Sequence, residues 1–316
     1  MKLSHGQAVG LMVLVAFMWS TAGVVARQLE QAEAFEINFW RSVFTLLSLL
    51  VILPLWQGRA IWGRMRSAGW VLWASGVCWS VMFTAFMVAL ALTSVANVLI
   101  MLAAGPLLTA LFARFLIGHQ LPARTWMAIL VAAVGIAWMF ARQLGEGSWV
   151  GSAVAFAVPV AGALNWTMVQ RSAQQGHNID LVPAVMVGAL ISSATTLPLA
   201  WPLQASLHDV ALLAGLGLGQ LAIPCVLAVV CARVLSAPEV SLLALLEVLF
   251  GILLAWVGAG EVPQSYVLQG GALVMGALVA NEWLGWRERA GHYKIQTLAA
   301  EAQASAPSAK SPTHER

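Results

Sequence analysis

Two ionisable residues, Arg41 and Glu247, lie inside long apolar stretches of the sequence. A charged side chain in the middle of a membrane costs roughly 2.5–3.5 kcal/mol on insertion scales, so both should face a cavity or a partner. They could bind the carboxylate and ammonium of a zwitterion, Glu247 could carry a coupling proton, or the two could form a structural ion pair. We take both as candidate substrate-binding residues and leave these alternatives open.

Aromatic and neutral polar side chains lie in the same stretches. Trp79 and Phe83 are four positions apart and share a helix face, and Asn97 and Met101 repeat that spacing. Such stripes arise from helix packing, or they line a cavity that accepts apolar groups loosely. Amides at depth usually join helices by hydrogen bonds, or they contact a ligand. The remaining candidate substrate-binding residues are Trp19, Asn38, Trp166 and Gln220.

The composition indicates that lipid surrounds most of this chain. Hydrophobic residues make up 60% of 316 positions and charged residues 9%, against roughly 25% in soluble domains. The basic residues are spread singly, which excludes nucleic acid as an expected partner. The three cysteines lie in apolar segments without a CxxC pair, so neither a disulfide nor a metal site is expected. We predict an all-α integral membrane protein.

The apolar stretches predict ten membrane spans, since about 20 apolar residues of helix cross a bilayer. The predicted spans are 7–26, 35–56, 68–91, 94–116, 124–141, 150–170, 181–201, 209–232, 237–258 and 264–286. Lys and Arg concentrate on the side of the N-terminus, which places that side in the cytoplasm. With ten spans the C-terminus is cytoplasmic too. The expected location is the bacterial inner (plasma) membrane.

The two halves of the sequence resemble each other weakly. A shift of 141 positions places Ala103 on Ala244 and Pro122 on Pro263, and a shift of 147 places Trp19 on Trp166. Chance similarity between apolar helices is the alternative explanation. We predict five-helix repeats at 1–144 and 145–288, and a disordered cytoplasmic tail at 289–316. An odd number of spans inverts the second repeat, and inverted repeats can open a central site to alternate faces.

Several short motifs are similar to those of the drug/metabolite transporter superfamily in its ten-helix EamA-type form. They are "FMWSTAGVVAR" in the first span, "INFWR" in the second, and the turns "IGHQLP" and "AGEVP". The first turn has His119 and Gln120 where the family usually has Gly and Glu. The resemblance implies two inverted five-helix repeats around a central cavity, with spans 1–4 and 6–9 lining it and spans 5 and 10 at the periphery.

These observations predict a secondary transporter, either an exporter or a facilitator. The resemblance favours small organic solutes, above all amino acids, moved by alternating access. Drugs, nucleosides or other metabolites are the alternative substrates. An intramembrane lipid-modifying enzyme is the alternative of another class, but the spans contain no HExxH, no GxSxG and no paired acids. We expect no catalytic residue, no cofactor and no metal. The expected partners are a small-molecule substrate and membrane lipid, and a monomer is favoured.

Overall fold

The computed structural model describes residues 3–26, 28–93, 95–118, 120–140, 149–174, 180–259 and 264–305, and the regular structure within them is helical. The first half contains α1 (His5–Ala26), α2 (Ala34–Gln57), α3 (Ile61–Ser67), α4 (Gly69–Leu92), α5 (Val95–Leu102), α6 (Gly105–Ile117) and α7 (Ala123–Phe140). The second contains α8 (Trp149–Gln174), α9 (Pro183–Ala200), α10 (Leu207–Leu216), a π-helical segment (Gly217–Ala222), α11 (Ile223–Cys231), α12 (Ala237–Ala244), α13 (Leu246–Ala259) and α14 (Ser265–Ser305). His119, Glu261 and Pro263 lie outside the described residues.

The predicted all-helical membrane fold is confirmed. Eight helices or helix runs are long and apolar enough to cross a membrane, and two shorter apolar helices lie at Gly105–Ile117 and Ala123–Trp138. Each predicted span therefore contains an apolar helix, while ten membrane crossings remain a prediction. The uncertain break between the third and fourth spans is a tight turn, since α4 ends at Leu92 and α5 begins at Val95.

The fourth and ninth predicted spans are both interrupted near their middle. In the fourth, the amide of Ala104 bonds the carbonyl of Met101 (3.1 Å), three residues back instead of four. In the ninth, the amide of Leu245 bonds the carbonyl of Leu242 (3.2 Å) in the same way. These tightened turns separate α5 from α6 and α12 from α13, and they lie 141 positions apart, which is the predicted repeat distance.

Polar contacts join loops at each end of the bundle. At one end, the Asp209 carboxylate accepts the backbone N–H groups of residues 30–32, at 2.9 to 3.2 Å. At the other end, the Gln170 side chain accepts the Ala237 N–H (2.8 Å), and His5 lies 3.5 Å from Glu239. In each case the joined segments are ones that the predicted topology places on the same membrane side.

The last helix differs from the sequence prediction at its end. We predicted a disordered tail from residue 289, whereas α14 continues to Ser305. The segment "YKIQTLAAEAQAS" consists mostly of good helix formers, which favours continuation until the residues before Pro307. Its membrane part packs against α7 outside the central helices, where a Cβ on Gly135 would lie 2.8 Å from the carbonyl oxygen of Gly270. This is the peripheral position expected for spans 5 and 10.

Candidate functional site

A pocket of about 190 Å³ lies between helices of both predicted halves. Its walls come from α1, α2, α4, α5 and α6, and from α8, the π-helical segment, α11, α12 and α13. None of the described residues of α9 lines it, although the resemblance implied a contribution from the seventh span. Seven of the ten predicted substrate-binding residues line this pocket: Trp19, Arg41, Trp79, Phe83, Trp166, Gln220 and Glu247.

Two of the other three predicted residues, Asn38 and Met101, do not line the pocket. Asn38 is buried and donates a hydrogen bond to Ser192 (3.0 Å between Nδ2 and Oγ), which joins α2 to α9. Met101 packs against a separate small apolar cluster. Helix packing, the alternative explanation for such residues, accounts for both placements. The side chain of Asn97 lies outside the described residues.

Other lining residues were not in the predicted set. On α4 they include Met82 and Phe86, and on α8 they include Pro159 and Gly162. The helical period places Phe86 on the same face as Trp79 and Phe83, and it could have identified Gly162, which lies four positions before Trp166. Small residues at a ligand-facing position carry no distinguishing sequence signal when Gly and Ala are frequent throughout.

Arg41 is buried in the pocket wall, with 6% of its surface exposed. Its Nη2 donates to the side-chain oxygen of Gln220 at 2.6 Å, and its Nη1 donates to the Met87 sulfur at 3.0 Å. The Nε atom is buried without a hydrogen-bond partner. The two bonded acceptors are neutral, and a thioether sulfur is a weak acceptor. The positive charge is therefore held in place without a counterion in contact.

The π-helical segment brings Gln220 to Arg41. A Cβ on Gly217 would lie 2.6 Å from Phe44 Cβ and 2.9 Å from the Arg41 carbonyl oxygen, so the absence of a side chain permits this close helix contact. Gln220 uses its other end to donate to the backbone carbonyl of Trp19 (3.3 Å). One side chain thus connects α1, α2 and the eighth span beside the pocket. π-helical turns are often found at functional sites.

Glu247 is partly buried and is the second residue of α13. The tightened turn at Leu245 creates this helix start, and the N-terminal end of a helix favours negative charge. Arg41 is the charged group that interacts with Glu247 electrostatically. Among the described residues, no hydrogen bond or ion pair to the Glu247 side chain is found. A structural ion pair, one of the alternatives left open for the two residues, is therefore not formed in this structure.

Aromatic rings make up much of the remaining wall. The rings of Trp79 and Trp166 pack edge to face, with centroids 5.5 Å apart, and Phe83 lies 5.6 Å from Trp79. A Cβ on Gly188 would overlap the Cβ of Trp79, so α4 and α9 pack closely behind this ring. The buried Trp79 Nε1 has no hydrogen-bond partner. The wall is thus apolar and well fixed, with few polar groups.

Comparison with known proteins supports a transporter fold. Residues 6–141 match the EamA-like transporter family. In addition, 29 chains of solved structures match. One crystal structure among them has a TM-score of 0.75 and 18% identity, covering 90% of this chain and 99% of that chain, which establishes the shared fold. No curated protein matches the sequence.

Among the described residues, no group of three His, Cys, Asp or Glu side chains is placed to hold a metal ion. The family is one of transporters. The match to the EamA-like transporter family is limited to residues 6–141, and the long apolar helices indicate a multi-pass membrane protein.

Proposed function

We propose that this chain is a secondary transporter that moves small organic solutes, amino acids above all, across the bacterial inner membrane by alternating access. The carrying observation is that Arg41 and Glu247 line one pocket without pairing with each other. An amino acid brings a carboxylate and an ammonium, which complement these two charges. The aromatic rings that line the same pocket suit an apolar side chain.

The size of the pocket supports small solutes over drugs. Its volume is about 190 Å³, whereas pockets for drug-sized ligands usually have about 300–1,000 Å³. A larger ligand would require the walls to move apart. Nucleosides are disfavoured on different grounds, because a neutral base and sugar leave both unpaired charges without a partner.

The helix interruptions support the proposed repeats at 1–144 and 145–288. The α5–α6 and α12–α13 interruptions coincide when the sequence is shifted by 141 positions, and α5 and α12 both have eight residues. Interrupted helices beside a central site are common in transporters built from inverted repeats. We propose that the repeats exchange two packings and so open the pocket to alternate faces, with both termini cytoplasmic.

Substrate class and transport can be tested by two consecutive experiments. Purified protein is first screened by thermal shift against amino acids, nucleosides and cationic dyes, since a ligand of the folded state raises the melting temperature. Hits are then measured by counterflow in proteoliposomes. The proposal expects an amino acid among the hits and counterflow of the same compound. Stabilisation by nucleosides or dyes alone would contradict the amino-acid assignment, and absence of flux would contradict transport.

The inverted arrangement has its own test. Single cysteines at Gln120 and Glu261 are introduced into a variant in which Cys78, Cys225 and Cys231 are replaced by Ala. A membrane-impermeant maleimide applied to intact cells should label position 261 and should label position 120 only after the membrane is opened. Labelling of both positions from the same face would contradict the inverted repeats.

A further inference from the structure

The two charged residues of the pocket differ in what already contacts them. The Arg41 guanidinium donates to Gln220 (2.6 Å) and to Met87 (3.0 Å), so two of its hydrogens are engaged. Glu247 accepts no hydrogen bond and forms no ion pair among the described residues. Two of the five guanidinium hydrogens are therefore already engaged, whereas Glu247 has no such partner among the described residues.

Gln220 holds its position firmly because both ends of its amide are bonded. Its oxygen accepts from Arg41, and its nitrogen donates to the Trp19 carbonyl. The amide is buried, with 5% of its surface exposed. A ligand carboxylate that replaces the Gln220 oxygen must break this bridge between α1 and the eighth span. By contrast, a ligand ammonium can approach Glu247 without breaking a hydrogen bond or ion pair to any described residue.

We propose that the amino group of the ligand is the main recognition element of this pocket and that Glu247 binds it. Gln220 acts as a positioning residue that holds Arg41, so a free carboxylate on the ligand is not required. This inference rests on the proposed function and sharpens it. The ligand class it names is primary amines with a compact apolar body, including amino acids and their amides.

The pocket wall fits this class. An ammonium bound to a carboxylate forms a charge-assisted hydrogen bond, which is among the strong ones in proteins. Trp79, Trp166 and Phe83 offer ring faces near the same space, and such faces attract cations.

The test compares leucine derivatives that differ in one charged group. Binding to the purified full-length protein is measured by calorimetry for L-leucine, L-leucinamide, N-acetyl-L-leucine, 3-methylbutylamine and 4-methylpentanoate. We expect leucinamide to bind within about threefold of leucine, and N-acetyl-leucine to bind at least about tenfold more weakly. The bare amine should likewise bind more tightly than the bare carboxylate.

The other possible outcomes distinguish failure of this inference from failure of the proposed function. If N-acetyl-leucine or 4-methylpentanoate binds as tightly as the amines, the inference is overturned while amino-acid transport still stands. If the amide and the bare amine bind but leucine does not, the amino-acid assignment fails and the inference holds. If none of the five binds, both are overturned.

Variants assign the effect to the named residues. Glu247→Gln should abolish the preference for leucinamide over N-acetyl-leucine. Gln220→Leu releases the guanidinium and should improve the binding of N-acetyl-leucine relative to leucinamide by about fivefold, a change that general loosening of the fold does not produce. Asn281→Leu is the matched control, because it also removes a buried amide that joins two helices, but between α7 and α14. It should leave the preference unchanged, and an unchanged preference in Gln220→Leu would contradict the positioning role.

Discussion

Two arginines of the membrane domain show how differently a charge can be accommodated. Arg124, at the start of α7, forms an ion pair with Glu288, with 3.0 Å between Nε and Oε2 but without the alignment of a hydrogen bond. It also donates a hydrogen bond to the Asn281 carbonyl at 2.8 Å. Arg41, in the central pocket, contacts a neutral amide and a thioether, and its Nε has no partner. The peripheral arginine has a counterion in contact, whereas the central one has none.

We propose that this difference separates polar groups that serve the fold from polar groups that serve a ligand. Buried polar groups are normally bonded, and an unpaired buried charge lowers stability. At the α7–α14 contact this expectation is largely met, since Thr125 also donates to Asn281 (3.0 Å). In the pocket it is not met at two buried atoms, Arg41 Nε and Trp79 Nε1. A ligand with complementary groups would restore the missing contacts, and the following predictions test that difference.

The largest effect is expected for Glu247→Gln. The change keeps the size of the side chain but removes the charge that binds the ligand amino group. Loss of a hydrogen bond to a charged group, about 1.5–3 kcal/mol, corresponds to roughly 10- to 100-fold weaker uptake of leucine in proteoliposomes. Glutamine cannot exchange a proton, so any dependence of uptake on pH should also disappear. A pH response equal to that of the wild type would remove Glu247 from proton coupling.

The next largest effect is expected for Arg41→Met. Methionine keeps an unbranched side chain but removes a buried charge that has no counterion in contact. Uptake should fall by about threefold, because Gln220 and Met87 already engage the guanidinium. The melting temperature should stay the same or rise, because replacing an unpaired buried charge by an apolar group is often stabilising. Uptake is measured in proteoliposomes and melting by intrinsic fluorescence. A lower melting temperature with normal uptake would assign Arg41 to the fold.

The sequence predicted the fold better than the site, for a physical reason. Apolar runs of about 20 residues are local features, so spans can be located without knowing their neighbours. The estimated depths of Arg41 and Glu247 in their membrane spans placed the two side chains within reach of each other. Helical spacing placed Trp79 and Phe83 on one helix face. By contrast, the bonds of Arg41 to Gln220 and Met87 depend on how three helices pack.

Two backbone features were also beyond sequence reasoning. The turn at Leu245 contains neither Gly nor Pro at its centre, so no local signal indicates that α13 begins just before Glu247. The glycines around 215–219 indicate close helix packing, which Gly217 makes with α2. They do not indicate a π-helical turn, because that geometry adds one residue to a turn without a characteristic side chain.

A smaller effect on transport, but a clear loss of stability, is expected for Arg124→Met. The change removes both the ion pair with Glu288 and the hydrogen bond to the Asn281 carbonyl. A partly buried, hydrogen-bonded arginine of this kind contributes about 1 kcal/mol, which corresponds to a melting temperature lower by about 2–4 °C. Uptake of leucine should remain within about twofold of the wild type. A tenfold loss of uptake with unchanged melting would mean that the α7–α14 contact takes part in transport.

The smallest effect is expected for Glu288→Gln. The Glu288 side chain is 54% exposed, and ion pairs with an exposed partner contribute about 0–1 kcal/mol because water and salt screen them. The hydrogen bond of Arg124 to the Asn281 carbonyl remains. The melting temperature should therefore fall by no more than about 2 °C, and the fall should become smaller at high salt. A decrease as large as that of Arg124→Met that does not depend on salt would show that water and salt do not screen this ion pair. That result would weaken the distinction between the two arginines.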